Sequence, residues 1–278
     1  MQDFASVPGG SAGWYGTNGP DTIIADNLPG FTFDNLITTF GGNDVIDAGR
    51  GDDLVFGGNG NDVVFGGTGN DLIFGENGND RLTGDIGNDF IDGGKGNDWI
   101  DGGIGADRLL GGDGDDIIQG ASGNDAISGG RGDDLIDAGS NDDAVAGGDG
   151  ADTIFGGTGN DRLSGEGGHD LLFGASGNDT LIGGQGHDTL AGGSGEDTFY
   201  FASGFGKDVI LDFTPGADVI EIAANINGTG IVDSSQLASL VSEDGTGAII
   251  SLGGSSIKLI GVSADDLLDN LASYVKIV

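Results

Sequence analysis

The chain has 278 residues, 62 of them Gly, and 46 acidic residues against 9 basic ones leave a net charge of −37. That charge argues against nucleic acid or an anionic membrane as a direct partner, because phosphate binding needs clustered Lys and Arg, and it favours cations. With no Cys, disulfides and thiolate metal sites are excluded.

The acids are 41 Asp and only 5 Glu. A surface charged only for solubility would use both, so the bias selects the short carboxylate for its geometry. No apolar run approaches the roughly 18–20 residues of a transmembrane segment, and the first ten residues lack the basic and apolar regions of a cleavable signal peptide.

Residues 1–38 follow no strict period. Gly9-Gly10-Ser11-Ala12-Gly13 spells the G-x-S-x-G of serine hydrolases. That pattern needs a strand before it, a helix after it, an acid and a His, and the only two His are far off at 169 and 187. Gly19-Pro20-Asp21-Thr22-Ile23 reads as a turn and a short strand, a degenerate coil. The apolar stretch of Phe31, Phe33, Leu36 and Ile37 is expected to plug the open end of a solenoid, where core and strand edges would otherwise be exposed.

From residue 39 one Asp recurs every nine residues without insertion: Asp44, Asp53, Asp62, Asp71, Asp80, Asp89, Asp98, Asp107, Asp116, Asp125, Asp134, Asp143, Asp152, Asp161, Asp170, Asp179, Asp188 and Asp197. Two residues before each stands Gly, with Asn141 the exception. Five residues before is usually another Gly, such as Gly57, Gly66 or Gly192, and two residues after is always a large apolar side chain, from Ile46 to Phe199. The unit is G-G-x-G-x-D-x-U-x, read as a six-residue turn and a three-residue strand. One nonapeptide buries nothing alone, but stacked copies line their U residues into a continuous core. Two units close one circuit, so alternate copies are expected to build two facing sheets.

These residues resemble the RTX (hemolysin-type) calcium-binding repeats of bacterial secreted proteins, over residues 39–200. The resemblance implies an all-β fold, a right-handed parallel β-roll (a β-solenoid) with caps at both ends. It further implies that the eighteen Asp residues bind Ca²⁺ between stacked turns together with turn carbonyls, at roughly sixteen inter-turn sites with the oxygen-rich coordination calcium prefers. The chain is then expected to be largely unfolded without calcium and folded with it. The unit of Asp143, which has Ala138 and Asn141 in place of Gly, is expected to bind less well, and the end sites at Asp44, Asp53, Asp188 and Asp197 have only one stacked neighbour each.

Residues 201–278 leave the register. Gly206-Lys207-Asp208-Val209-Ile210 and Gly216-Ala217-Asp218-Val219-Ile220 echo the motif at wider spacing and continue the roll. Two strands around Gly253-Gly254 follow, then a short helix with Ser263 as N-cap. This tail is similar to the C-terminal region of RTX proteins. That likeness implies a secretion-signal region read by the type I secretion machinery, and so a secreted, extracellular or cell-surface protein. Tyr274 to Val278 reads equally as a terminal strand of the cap. The organisation is therefore an N-terminal cap at 1–38, the roll at 39–200 and a C-terminal cap with the secretion signal at 201–278.

Several weaker signals compete. His169 and His187 lie one full turn apart and should stack; solvated turn residues are the plainer reading than a transition-metal pair. Arg50-Gly51-Asp52 and Arg131-Gly132-Asp133 spell an integrin tripeptide, but the repeat itself generates them. Thr68, Ser122, Thr158 and Ser176 form a partial polar ladder, interrupted by Arg50, Ile86, Ile104 and Ala106, which leaves ice binding a remote alternative. Phe56 with Phe74, and Phe155 with Phe173, should stack on the outer sheet faces, where they raise self-association or a cell-surface partner. The chain reads as non-enzymatic. It is either a stand-alone protein, which Met1 favours, or the export and folding module of a larger secreted enzyme or toxin.

Overall fold

A computed structural model of the chain describes residues 4–5, 13–25 and 34–278. It divides into two compact units, residues 1–140 and 141–278. Both are built from the nonapeptide in the same way, as a parallel β-roll.

In the first unit each repeat gives one six-residue strand, such as Val45–Arg50, Leu54–Asn59, Val63–Thr68 and Leu72–Asn77. Strands pair in parallel with the strand two repeats away, so eighteen residues make one coil. One sheet aligns Ile46, Val64, Leu82, Ile100, Ile118 and Ile136 in register. The other aligns Ile37, Val55, Ile73, Ile91, Leu109 and Ile127. All of these U side chains are buried. The period of nine thus becomes an internal column of branched side chains, one per strand, which suits a pleated sheet packed on its inner face.

The strands are twice as long as the motif suggested, and the turns are half as long. The ladder runs on through the Gly-Gly pair, as in the registers Gly49 with Gly67 and Gly94 with Gly112. A glycine still supplies one amide and one carbonyl to its neighbours above and below. Only three residues, such as Gly60-Asn61-Asp62, are left to reverse the chain.

The N-terminal segment joins this scheme. Thr22–Ile24 pairs in parallel with Val45–Arg50, and Leu36–Thr38 with Leu54–Asn59. Ile37 is buried and Leu36 faces outward, so this pair acts as a strand of the roll. Phe31 and Phe33, expected in a plug, lie outside the described residues, as do residues 9–12 of the G-x-S-x-G match.

In the second unit Val145, Leu163, Leu181, Phe199, Ile220 and Val275 form one register column. Ile154, Leu172, Leu190, Ile210 and Leu259 form the other. The echoes at 206–210 and 216–220 therefore do extend the roll, as strands Lys207–Ile210 and Val219–Ile222. Beyond them antiparallel pairing also enters. Gly247–Leu252 and Ser255–Ile260 form a hairpin about Gly253-Gly254. The Ser263 hydroxyl accepts the Asp266 amide (3.1 Å) at the start of the helix Ala264–Asp269. Val275–Ile277 pairs with Val219–Ile222, so the C-terminal segment is a strand of the cap. An ordinary aromatic core fills this end: Phe199, Phe201, Phe205, Phe213 and Tyr274 are all buried, with Phe213 edge-on to Tyr274 at 5.6 Å. Among the described residues, no helix is long and apolar enough to cross a membrane.

The expected surface stacks are present. Phe56 lies on Phe74 and Phe155 on Phe173, each at 5.1 Å with nearly parallel rings.

Two neighbouring positions test the backbone logic with opposite signs. Gly78 has φ 145°, and a Cβ there would meet the Gly60 carbonyl of the previous coil. Glu76 occupies a position where most coils have Gly and is held at φ 74°, in the left-handed region that costs a non-Gly residue about 1 kcal/mol or more. Glu76→Gly is expected to raise the urea-unfolding free energy by about 1 kcal/mol, and Gly78→Ala to lower it by about 1–3 kcal/mol.

Candidate metal centre

The repeated Asp sits at the end of each three-residue turn, and the turn aims its carboxylate inward. All eighteen are buried, none more than 3% exposed. Burying a charge is costly unless it is paired, so the partners of each oxygen decide what the site is.

One oxygen is satisfied by backbone. The amide of Asp44 donates to Asp62 Oδ1 (2.8 Å), that of Asp62 to Asp80 Oδ1 (2.8 Å), and that of Asp80 to Asp98 Oδ1 (2.8 Å). Along the opposite edge Asp53, Asp71 and Asp89 donate to the residue eighteen further on. The second unit repeats the bond from Asp143 to Asp161 (2.9 Å) and from Asp152 to Asp170 (2.9 Å). Each coil thus receives two amide hydrogens from its neighbour on carboxylate oxygens, one along each edge.

The other oxygen is not satisfied by protein. Oδ2 of Asp62, Asp71, Asp80, Asp89, Asp98, Asp107 and Asp116 is buried with no hydrogen-bond donor. The same holds for Asp161, Asp170, Asp179, Asp188 and Asp197. These atoms lie against bare glycine. A Cβ built on Gly57 would be 2.8 Å from Asp62 Oδ2 and 3.0 Å from the Gly75 carbonyl oxygen. On Gly102 it would be 2.6 Å from Asp107 Oδ2 and 3.1 Å from the Gly120 oxygen, and on Gly156 2.6 Å from Asp161 Oδ2 and 3.0 Å from the Gly174 oxygen. A carboxylate oxygen from one coil and a carbonyl oxygen from the next therefore converge in the room that these glycines leave. Ala48, five residues before Asp53, carries a methyl at the equivalent position.

Electrostatics agree. Burial, opposed by the backbone hydrogen bond and reinforced by neighbouring carboxylates, pushes Asp62, Asp89 and Asp116 up to about 7. Burial likewise raises Asp98 and Asp170 to about 7, and Asp71 and Asp80 to about 6. Stacked carboxylates in a low-dielectric turn repel one another and call for a positive charge.

Among the described residues no three His, Cys, Asp or Glu side chains converge as a metal-holding group. A cation here must be held by carboxylate and backbone oxygens together, a hard donor set that suits Ca²⁺ and not zinc. The two His do not alter this. They stack at 5.1 Å as expected, but His169 Nδ1 accepts the His187 amide (2.9 Å) and His187 Nδ1 the Lys207 amide (2.9 Å). The ring proton is thereby placed on Nε2, which leaves no lone pair facing outward for a transition metal.

The motif concealed a second ladder at the residue before each Asp. Asn61 donates its amide to Asn43 Oδ1 (3.0 Å), Asn79 to Asn61 Oδ1 (3.1 Å) and Asn70 to Asp52 Oδ1 (2.7 Å). The recurrence of Asn or Asp at this place was the available signal. These bonds also engage the integrin-like tripeptides: Asp52 accepts from Asn70, and Arg131 is paired with Asp113 at 2.8 Å.

The description of the matching family model is the RTX calcium-binding nonapeptide repeat in four copies, and it matches at residues 38–73, 56–91, 74–109, 110–145, 137–172, 146–181 and 173–208. The chain belongs to this RTX repeat family. Comparison with the curated proteins gives no match. Solved structures similar to this RTX chain include the extracellular lipase LipA of Serratia marcescens, 18% identical with a TM-score of 0.38. Another is the AlgE6R3 subunit of the Azotobacter vinelandii mannuronan C5-epimerase, 32% identical with a TM-score of 0.20. The alignments cover 89% of the RTX chain and 40% of the lipase, and 46% of the RTX chain and 77% of the epimerase subunit. The RTX chain thus spans about two fifths of the lipase's length.

The raised carboxyls set a pH dependence for the ion-free RTX chain. A carboxyl that holds its proton more tightly when folded favours folding fully below its unfolded value near 4 and loses that contribution as pH rises through about 7. In chelator, β-structure measured by circular dichroism is expected to be greatest near pH 4 and to decline between pH 5 and 7. The opposite trend would show that the turns carry no excess of buried carboxylate.

Proposed function

We propose that the eighteen aspartates from Asp44 to Asp197 ligate Ca²⁺ through Oδ2, together with turn carbonyls, and that this ligation folds the roll. The observation that carries the reading is the run of buried Oδ2 atoms without donors from Asp62 to Asp116 and from Asp161 to Asp197, those of Asp62, Asp107 and Asp161 among them beside a carbonyl oxygen over a glycine. An ion bound there supplies the positive charge that lets adjacent coils stack. The protein's own residues place the oxygens, exclude a Cβ from the cradle and hold Oδ1 on the neighbouring amide. Between stacked coils this gives roughly sixteen ions, each with oxygen ligands.

RTX repeat proteins are typically secreted, and membership of that family supports an extracellular or cell-surface location with export by a type I channel. On this reading residues 1–38 and 201–278 are caps, the latter also carrying the export signal, and residues 39–200 are the calcium-loaded roll. The role is structural and non-enzymatic for this chain, whether it acts alone or as the folding module of a larger secreted protein. A chain that orders only in calcium stays threadable where calcium is scarce and locks where it is abundant.

A calcium titration followed by circular dichroism and calorimetry tests the proposal. Calcium is expected to induce the β-signal and a cooperative melting transition, chelator to abolish both, and Mg²⁺ to fail as a substitute because it surrenders its waters reluctantly. A chelated chain that stays compact and melts cooperatively near pH 7 would overturn it.

A further inference from the structure

In the second unit the carboxylate column on one edge runs Asp152, Asp170, Asp188 in steps of eighteen. It then continues, outside the nonapeptide register, to Asp208. The Asp188 amide donates to Asp208 Oδ1 (3.1 Å), as Asp170 does to Asp188 (3.0 Å) and Asp152 to Asp170 (2.9 Å). Asp208 is 1% exposed, and its Oδ2 is buried without a donor.

The opposite column ends differently. The Asp197 amide donates to Asp218 Oδ1 (3.1 Å), but Asp218 Oδ2 accepts the backbone amide of Thr214 (2.7 Å). The turn Thr214-Pro215-Gly216-Ala217-Asp218 thus closes on its own carboxylate. The first unit begins with the same device: Asp21 Oδ2 accepts the amide of Thr17 (2.5 Å) and its hydroxyl (3.1 Å).

We propose that Asp208 holds a calcium ion together with Asp188, and that Asp218 ends its column without one. At Asp218 the Thr214 amide hydrogen already supplies the positive partner that Asp188 Oδ2 and Asp208 Oδ2 lack. On that edge the ladder therefore runs one rung beyond the nonapeptide register, and its last rung belongs to the C-terminal cap. This inference rests on the reading of the aspartate columns as calcium ligands.

Native mass spectrometry of the calcium-loaded chain gives the first test. Asp208→Asn keeps an acceptor oxygen for the Asp188 amide and removes the charge; it is expected to carry one calcium fewer than wild type. Asp218→Asn is expected to carry the wild-type number. An unchanged count in Asp208→Asn, or a loss in Asp218→Asn, overturns the proposal. Calcium anomalous scattering from wild-type crystals gives a second test that does not depend on a variant folding. A peak is expected within about 2.3–2.6 Å of Asp208 Oδ2 and none at Asp218. Peaks along Asp152, Asp170 and Asp188 with none at Asp208 defeat this inference alone. Absence of peaks from every column defeats the calcium reading itself.

Discussion

The structure turns on a divided carboxylate. In repeats such as those of Asp62, Asp71, Asp107 and Asp161 one Asp oxygen is tied to the amide of the neighbouring coil, and the other is buried beside a carbonyl oxygen with no donor of its own. The first half of that arrangement fixes the stacking distance between coils. The second half creates a local excess of negative charge in a low-dielectric turn, where it cannot be relieved by water. Much else in the chain follows from making this geometry possible. Glycine under the carboxylate leaves room that a Cβ would take, Asp is needed instead of Glu because the reach is short, and the spacing is nine because two nonapeptides close one coil.

The two ends of the second unit show how differently a fold can be held. Within the roll each nonapeptide buries one large apolar side chain and orders nine residues, several of them glycine, whose backbone freedom is the most costly to remove. Toward the C-terminus Phe199, Phe201, Phe205, Phe213 and Tyr274 pack together, aided by an antiparallel hairpin and a capped helix. There the burial is of ordinary density, and Asp218 is answered by a backbone amide. The roll needs a counter-charge, whereas the cap is built from conventional packing.

Much of this was legible in the sequence because the signal is periodic. The U positions and the Phe and His stacks follow from spacing, the parallel roll from the resemblance that the motif carries, and the continuation through 206–220 from two degenerate echoes of that motif. Strand length did not, since a glycine pair looks like a turn until its amides and carbonyls are seen to join the ladder. The residue before each Asp read as a variable position because Asn61, Asn79 and Asp52 differ in charge while serving the same acceptor role. Asp208 was visible as an echo but fell outside the column, because the irregular spacing hid that the Asp188 amide reaches it. The Thr214 and Thr17 closures depend on backbone amides, which leave no mark on side-chain composition.

Register also limits how such a chain can lengthen. Within the nonapeptide register the columns join residues eighteen apart, and successive nonapeptides serve opposite sheets. Duplicating a single nonapeptide would move all later repeats to the opposite edge, exchanging their outward aromatic and polar rows and leaving the cap to dock on the wrong side. Duplicating a full circuit preserves every row. The evolutionary quantum of this architecture is therefore the pair, and natural variants that differ in size should differ by whole pairs.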